Sequence, residues 1–403
     1  MTDALHILKV ALDVPLDRVF DYRTDKPNTQ IGQYVVVPFG ARKMIGVVVG
    51  ISDTTAIESK KLKSIIRLDP EVIFDEQSFK LFQFCSQYYH YPLGQTILSA
   101  VPSRLKKLNT KAMAKKYLYR LTPKAIELGI DQLPPRQTIL KRIVMALIDA
   151  TLLDESSLRS ISSTWKKSIE TLDEMGWIEK EEVTLDDKAY RQAPIPSLND
   201  EQKKAFDEIS KTNKTFAAWL LYGITGSGKT EVYIRLIEEA LKKEHAQVLV
   251  LVPEINLTPQ LESRFRARFE KYMLVTLHSH LTDNERLTHW RLAKEGQAQI
   301  VIGTRLSIFT PMPHLSLIII DEEHDASFKQ QEGLRYHARD VAIFRAKSEN
   351  IPIVLGTATP SLETWFNATR TKDPIKEDHT FAFWYLTDDD TPYDFSTPIT
   401  GDL

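Results

Sequence analysis

Two stretches of this sequence carry residue types that act on phosphates. The first is Gly223-Ile224-Thr225-Gly226-Ser227-Gly228-Lys229-Thr230. Glycines at this spacing let backbone N–H groups turn inward around phosphate oxygens, Lys229 adds a point charge, and Thr230 offers a hydroxyl to Mg²⁺. The second is Leu317-Ile318-Ile319-Ile320-Asp321-Glu322-Glu323-His324, an apolar run that ends in consecutive carboxylates. Acidic residues at a strand end are common solubilising features. Coupled to a phosphate loop some ninety residues upstream, Asp321 would instead hold Mg²⁺ through water and Glu322 would orient and polarise an attacking water. Lys229, Asp321 and Glu322 are therefore the candidate catalytic residues, and Thr230 and Asp321 the candidate Mg²⁺ holders. The triphosphate cradle would be Gly223, Thr225, Gly226, Ser227, Gly228, Lys229 and Thr230. His324 is either a satisfied structural histidine or a link to the next motif, Gly356-Thr357-Ala358-Thr359-Pro360-Ser361, whose Thr357 and Thr359 hydroxyls can bond to the carboxylates or to a nucleic-acid backbone.

These residues need elements to position them. The apolar run 216–222 reads as a buried strand before the glycine loop, and 231–243 shows helical spacing after it. That strand–loop–helix context is what a phosphate loop requires. Further strands are expected at 247–253, 274–278, 299–303, 317–321 and 353–357, with helices between most of them, giving a parallel α/β sheet with its site at the carboxyl ends of the strands. Upstream, Asn199 and Gln202 form a capping-box pattern. Gln202 also suits adenine, because a carboxamide both donates and accepts, and the two roles are compatible.

Other strand-end loops suit nucleic acid. Gly303-Thr304-Arg305 offers Arg305 as a phosphate contact, and residues 252–260 fit a loop that tracks a backbone. Residues 328–340 mix Phe328, Lys329, Tyr336, His337 and Arg339, which reads either as a surface loop or as one that stacks bases. His278 and His280 have metal-like spacing without a companion set, which favours non-metal roles.

The whole chain bounds these readings. At 403 residues it has room for several domains, and its net charge of −2 attracts nucleic acid only through local patches. One cysteine, Cys85, excludes a disulfide framework or a multi-cysteine zinc site. The N-terminus lacks a signal-peptide pattern and no apolar run approaches a membrane span, so a cytoplasmic protein with no membrane partner is expected.

Residues 1–105 read as a β-rich domain, with a hairpin over 35–49, a strand at 62–68 and an aromatic helix over 77–91 that packs on the sheet. Residues 77–126 contain no Asp or Glu but nine Lys and Arg, which reads as a solvated face or a phosphate-contacting surface. Residues 106–192 combine that basic linker with helices at 135–150, 155–161 and 164–175. A glycine-started strand at 176–183 completes a winged-helix pattern. Lys166 and Lys167 are outnumbered by acids on the third helix, so docking a partner is at least as good a reading as reading bases. Residues 193–370 form the α/β domain, and 371–403 an acidic tail.

In this order Gln202, GITGSGKT, VPEINLTPQ, GTR, DEEH and GTATPS resemble the first RecA-like lobe of a superfamily 2 helicase. VPEINLTPQ and DEEHDASFKQQEGLRYHARD resemble the primosomal protein N′ (PriA) family of replication-restart helicases. Phe20-Asp21-Tyr22, Val37-Pro38-Phe39-Gly40 and residues 88–94 resemble that family's 3′-end DNA-binding domain, and 120–190 its winged helix. The resemblance implies ATP and Mg²⁺ as cofactors and 3′→5′ unwinding at abandoned forks that lets the replicative helicase be reloaded. Forks with a 3′ end, single-stranded DNA, primosome proteins and single-stranded-DNA-binding protein would be partners of a monomer. It implies that Phe20, Asp21, Gly40 and Lys63 line a pocket for a 3′-terminal nucleotide, and that Arg305, Phe328, Lys329, Tyr336, His337 and Arg339 contact DNA. The resemblance ends near residue 370, where the family continues into a second lobe bearing an arginine finger and a cysteine-ligated zinc site. A chain without that lobe is expected to bind DNA ends while turning over little ATP. The alternatives are a non-catalytic fork-binding module and another superfamily 2 translocase.

Overall fold

The computed structural model describes residues 6–107, 117–129, 132–133, 137–150, 152–182, 196–212, 215–254, 259–370 and 381–386. The chain forms two compact units, one of residues 1–110 with 190–403 and one of residues 111–189.

The larger unit opens with an antiparallel sheet of β1 (His6–Leu12), β2 (Phe20–Thr24), β3 (Gln33–Phe39), β4 (Arg42–Ser52) and β5 (Arg67–Val72), in the order β2-β1-β4-β3-β5. Alternating Leu8, Val10, Val35, Val37 and Val48 build its core. The expected hairpin is β3–β4. Phe39 pairs with Arg42 across a two-residue turn whose first residue, Gly40, has φ +58°, the left-handed geometry such a turn uses. The strand expected at 62–68 begins only at Arg67. The residues before it attach to β2 instead, with Arg23 N donating to Lys63 O at 3.0 Å and Ile65 N to Arg23 O at 3.1 Å.

Two helices follow, α1 (Glu76–Tyr88) and α2 (Leu93–Ala100). The single helix expected through residue 91 is broken by Pro92, with His90 at φ +50°.

The smaller unit contains β6 (Tyr117–Leu121), α3 (Pro123–Leu128), α4 (Thr138–Ala150), β7 (Leu153–Asp154), α5 (Glu155–Ile161), α6 (Trp165–Glu174) and β8 (Ile178–Glu182). Its antiparallel sheet runs β7-β6-β8. Ile143, Leu147, Leu158, Trp165, Leu172 and Trp177 fill the space between helices and sheet. Thr122 caps α3 ahead of Pro123, and Gly176 turns the chain into β8 at φ +69°. The basic stretch is partly spoken for, since Arg120 pairs with Glu179 at 2.7 Å. Lys111, Lys115 and Lys116 lie outside the described residues.

The rest of the larger unit alternates helices and strands, beginning with α7 (Asp200–Ser210), β9 (Ala217–Gly223), α8 (Lys229–Ala240), β10 (Gln247–Leu251), α9 (Pro259–Arg268), β11 (Leu274–Leu277) and α10 (Asp283–Lys294). It continues with β12 (Ile300–Gly303), β13 (Leu315–Ile320), α11 (Ala338–Glu349), β14 (Pro352–Thr357), α12 (Leu362–Arg370) and β15 (Phe381–Leu386). The sheet order is β11-β12-β10-β13-β14-β9-β15, parallel at every pairing. β10 and β14 are buried at every residue, which is why these strands read as continuous apolar runs rather than alternating ones. β15 lies in the acidic tail and was not expected. It adds a parallel strand beside β9.

The β-rich domain and the α/β domain share one body. The Phe84 ring of α1 stacks on Phe344 of α11 at 3.8 Å, and Phe82 stacks on Phe309. Glu71 at the end of β5 takes Arg291 and Lys294 of α10, both at 3.0 Å. The aromatic residues of α1 thus face the α/β domain, where the sequence reading had placed them on their own sheet. A double-mutant cycle of Phe84→Ala and Phe344→Ala in urea unfolding is expected to give a coupling energy of about 0.5–1.5 kcal/mol. A value near zero would mean the two rings do not hold the domains together.

Candidate nucleotide and DNA site

Three adjacent strands, β13, β14 and β9, end side by side. Their carboxyl ends release Asp321 and Glu322, Thr357, and the glycine loop. Parallel register therefore gathers residues that are more than a hundred positions apart in sequence.

In the loop, Gly226 and Gly228 take φ +93° and +81°, conformations that other residues resist. Lys229 is buried, and its Nζ donates to Gly223 O at 2.7 Å and Ile224 O at 3.3 Å. Ser227 is also buried, and its Oγ has no hydrogen-bond partner. An orphaned hydroxyl, a lysine resting on the loop's own carbonyls and left-handed glycines fit a polyphosphate cradle. Thr225 is exposed, and Thr230 is half-buried at the start of α8. Gln202 completes the capping box expected of it, its Oε1 accepting from Asn199 N at 3.0 Å. Its Nε2 donates to Ser227 O at 2.9 Å. A side chain at Gly228 would collide with Gln202 Nε2 at 2.3 Å, so that position must be glycine for the contact to form.

Asp321 accepts from Tyr233 Oη at 3.1 Å. The phenol passes through space that only a glycine at 356 leaves open, because a Cβ there would lie 1.4 Å from Tyr233 Oη. Burial, and then the neighbouring Glu322 charge, raise the Asp321 pKa; the Tyr233 bond and the Lys229 charge partly offset them. Burial likewise raises the pKa of Tyr233, which keeps it a donor. Glu322 has φ +49°, a strained conformation for a residue with a side chain. Backbone bonds hold it there, from Asp321 N to Leu251 O, Glu323 N to Gly356 O and Asp325 N to Glu322 O. His324 Nδ1 lies 2.7 Å from Thr357 Oγ1, which also accepts from Thr359 N at 3.1 Å.

Glu323 is the residue that sequence reasoning missed. It is 0% exposed. Its carboxylate accepts from Arg339 Nη1 at 3.1 Å, Ser361 N at 2.8 Å and Thr364 Oγ1 at 3.0 Å. Arg339, expected at the DNA, is 9% exposed and spent on this network, with Asp340 and Ser361 as further partners. Phe328 needs the same correction, and Tyr336 turns inward too, toward the cavity at the ends of β10, β12 and β11. At 0% and 3% exposure they pack inward and present no ring for a base to stack on at the outer surface. Lys329 lies over the Tyr89 ring at 5.5 Å and donates to Arg335 O. His337 N donates to Tyr89 Oη at 3.2 Å, and burial lowers the His337 pKa. Arg305 donates to Ser327 O at 2.9 Å.

Beyond β13, the ends of β10, β12 and β11 surround a cavity of about 430 Å³ that also reaches α2 and the segment after it. In the β-rich domain, Phe20 meets Phe39 edge-on at 5.2 Å beside Gly40, and Lys63 joins through its carbonyl to Arg23. Asp21 accepts from Thr55 Oγ1 at 2.6 Å and faces Lys9 at 3.8 Å. The basics of residues 77–107 are partly neutralised, Lys80 by Glu76 and Lys107 by Asp283. Residues 255–258 of the VPEINLTPQ loop lie outside the described residues. No helix among the described residues is long and apolar enough to cross a membrane.

A phosphate loop, an Asp-Glu pair and a threonine motif on adjacent parallel strands define a RecA-like helicase lobe. Residues 199–366 match the family model for a DEAD/DEAH box helicase, and residues 9–102 match that for the 3′DNA-binding domain (3′BD) of PriA. The Replication restart protein PriA of Haemophilus influenzae is 39% identical over 381 residues, which are 91% of this chain and 51% of the relative. Those of Chlamydia pneumoniae and Bacillus subtilis are 37% and 30% identical, covering 88% and 91% of this chain and 48% and 55% of theirs. The chain thus spans about half the length of the curated relatives it matches. A solved structure of RecG bound to a three-way DNA junction is 24% identical with a TM-score of 0.35, over 50% of this chain and 25% of that one. Over about half of their length, this chain is similar to the PriA replication restart proteins.

Two measurements check the assignments above. Arg339→Ala leaves Glu323 buried without its cation and is expected to cost about 3–5 kcal/mol in urea unfolding; a loss below about 1 kcal/mol would return Arg339 to the DNA surface. Asp321 has a folded pKa above its ordinary 3.8. The folded state therefore holds its proton more tightly, and stability falls as pH rises from that value through the folded pKa. Asp321→Asn is expected to raise Tm at neutral pH, with the gain shrinking on acidification; a lower Tm at neutral pH would contradict the burial argument.

Proposed function

We propose that this chain is the nucleotide-binding and DNA-reading part of an ATP-dependent 3′→5′ helicase that recognises abandoned replication forks and lets the replicative helicase be reloaded. The observation that carries this reading is the assembly of the phosphate loop, Asp321-Glu322 and Thr357 at one sheet edge, in the same body as a domain matching a 3′ DNA-binding module. We also take residues 1–105 as the 3′-end reader, 106–192 as a basic linker and winged helix, 193–370 as the first helicase lobe and 371–403 as an acidic tail whose β15 extends the lobe's sheet. Three helices against the β7-β6-β8 sheet support the winged-helix assignment.

When bound, Mg-ATP supplies the phosphoanhydride whose cleavage drives translocation. Lys229 would hold its phosphates, Thr230 and Asp321 would hold the metal, and Glu322 would orient water. His324 and Thr357 relay changes at Glu322 to the β14 loop. Gln202 meets adenine by exchanging its present partners, Asn199 N and Ser227 O, for the base. Asp21 retains acceptor capacity beyond Thr55 and Lys9, so it can receive a hydrogen bond from a terminal 3′-OH. Forks, single-stranded DNA, primosome proteins and single-stranded-DNA-binding protein are the partners this reading names.

Two variants test it. Lys229→Ala removes a charged hydrogen-bond donor and should weaken a fluorescent ATP analogue by roughly 10–100-fold. Asp21→Ala should reduce the preference for forks with a free 3′-OH over 3′-blocked forks by about tenfold, leaving ATP analogue binding unchanged. Equal binding of free and blocked 3′ ends by the unaltered protein would overturn the 3′-end assignment.

A further inference from the structure

The cavity at the ends of β10, β11 and β12 has no role in the nucleotide site, which lies over β13, β14 and β9. Its volume, about 430 Å³, falls in the range of small-molecule pockets. Trp290 and Tyr336 line it, each 3% exposed. Neither Trp290 Nε1 nor Tyr336 Oη has a hydrogen-bond partner, and His278 Nδ1, also in the lining, is a third such atom. Buried polar atoms without partners are rare because each loses its water for nothing in return, and several around one cavity point to an absent ligand. These three atoms suit a ligand edge that both accepts and donates, since Trp only donates while Tyr and neutral His do either. The aromatic rings suit a flat ligand face.

The charges narrow the ligand further. Arg286 and Arg305 stand half-buried in the wall. Arg286 Nη2 donates to His278 O and Ser279 O, both at 3.1 Å, and Arg305 Nη1 to Ser327 O, which fixes each guanidinium while its other donors remain. At the exposed rim sit Glu254, bonded to Ser279, and Glu332. With Lys106, which also lines the cavity, three cations face two carboxylates; the single surplus positive charge matches a singly charged phosphodiester and is too little for a free di- or triphosphate.

We propose that this cavity is a pocket for one unpaired nucleobase of a DNA strand that crosses the strand-end loops. Trp290, Tyr336 and His278 read the base edge, and Arg286 and Arg305 neutralise its phosphate. The assignment rests on the DNA-binding reading above and adds a subsite to it. Because Ser99 to Lys106 form the far wall, a base held here also touches the β-rich domain.

The test uses the full 403-residue chain. Affinities are measured for a single-stranded oligodeoxynucleotide and for an abasic oligomer of equal length, in the unaltered protein, in Tyr336→Phe, which removes only the hydroxyl, and in Trp290→Phe, which removes Nε1 but also shrinks the ring, with Tm measured on each to establish that it is folded. The unaltered protein should prefer the base-bearing strand by about tenfold or more, and each variant should narrow that ratio about threefold or more with abasic affinity unchanged. Irradiating a complex with 5-iododeoxyuridine-substituted strand should crosslink peptides carrying Trp290 or Tyr336. Ratios that do not change in either variant, or crosslinks confined to other peptides, would overturn the pocket. Equal crosslinking of these peptides by free 5-iododeoxyuridine monophosphate would assign the cavity to a free nucleotide and overturn the strand-borne version. Failure to bind any single strand would remove the DNA-binding reading and this subsite together, whereas binding without base preference would remove this subsite alone.

Discussion

The site depends on one buried carboxylate. Glu323 follows β13, yet its partners come from α11 (Arg339), from the loop after β14 (Ser361) and from α12 (Thr364). A carboxylate taken fully out of water is tolerable only when such partners replace the lost hydration, and here both oxygens are engaged. The consequence is geometric. Two loops that leave neighbouring parallel strands are tied at a second point beyond the sheet, so Asp321, Glu322 and Thr357 cannot drift apart. The tie also sustains two unfavourable features at the same corner, a left-handed Glu322 and a carboxylic acid at Asp321 whose charge is opposed by burial. Strain and a shifted acid concentrated at one corner are features that cluster at functional sites.

The same network reaches the β-rich domain through α11. This helix begins beside His337, whose backbone N–H bonds to Tyr89 just past α1. Arg339 stands in its first turn, and Phe344 stacks on Phe84 one turn further on. One face of α11 is therefore fixed by the β-rich domain and its start by Glu323. Contacts run without a gap from α1 to the loop that carries Asp321. A displacement of α1 would act on a helix whose first turn already holds a buried ion pair, and such a pair resists separation strongly once its surroundings exclude water.

The strand-and-loop order of the lobe was legible because parallel strands buried on both faces leave long apolar runs, and because the glycine loop and the acidic strand end have few other uses. The Asn199–Gln202 cap, Thr122 and Gly176 were legible for a similar reason, since local geometry dictates those residue types. What could not be read was direction. The loop over 328–340 is polar in composition, and nothing local says that Phe328 and Tyr336 turn inward or that Arg339 serves Glu323 across sixteen positions. α1 carries aromatics on more than one side, so its spacing did not reveal that Phe84 faces α11, some 260 residues later in sequence. Tyr233 read as helix core, and its hydroxyl acquires meaning only because Gly356, on another strand, leaves room for it. β15 was overlooked because one short apolar run was outweighed by the acidic residues around it.

The sheet order also separates the phosphate loop and its carboxylates from the cavity. The nucleotide residues occupy the ends of β9, β14 and β13, and the cavity occupies those of β10, β12 and β11, so the division falls between β13 and its neighbour β10. Along that line Asp321 N bonds to Leu251 O, and Val252 N bonds to Gly303 O. The backbone that sets the Asp321 loop thus continues directly into the strand whose end borders the cavity. On the far side the cavity is closed by Trp290, which packs edge-on against Phe74 at 6.1 Å, next to the Glu71 pairs with Arg291 and Lys294. The same contacts that weld the β-rich domain to the lobe also form the floor of the cavity. A lobe without that domain would open this space to water, so the joint is part of the site and not merely a linker between two sites.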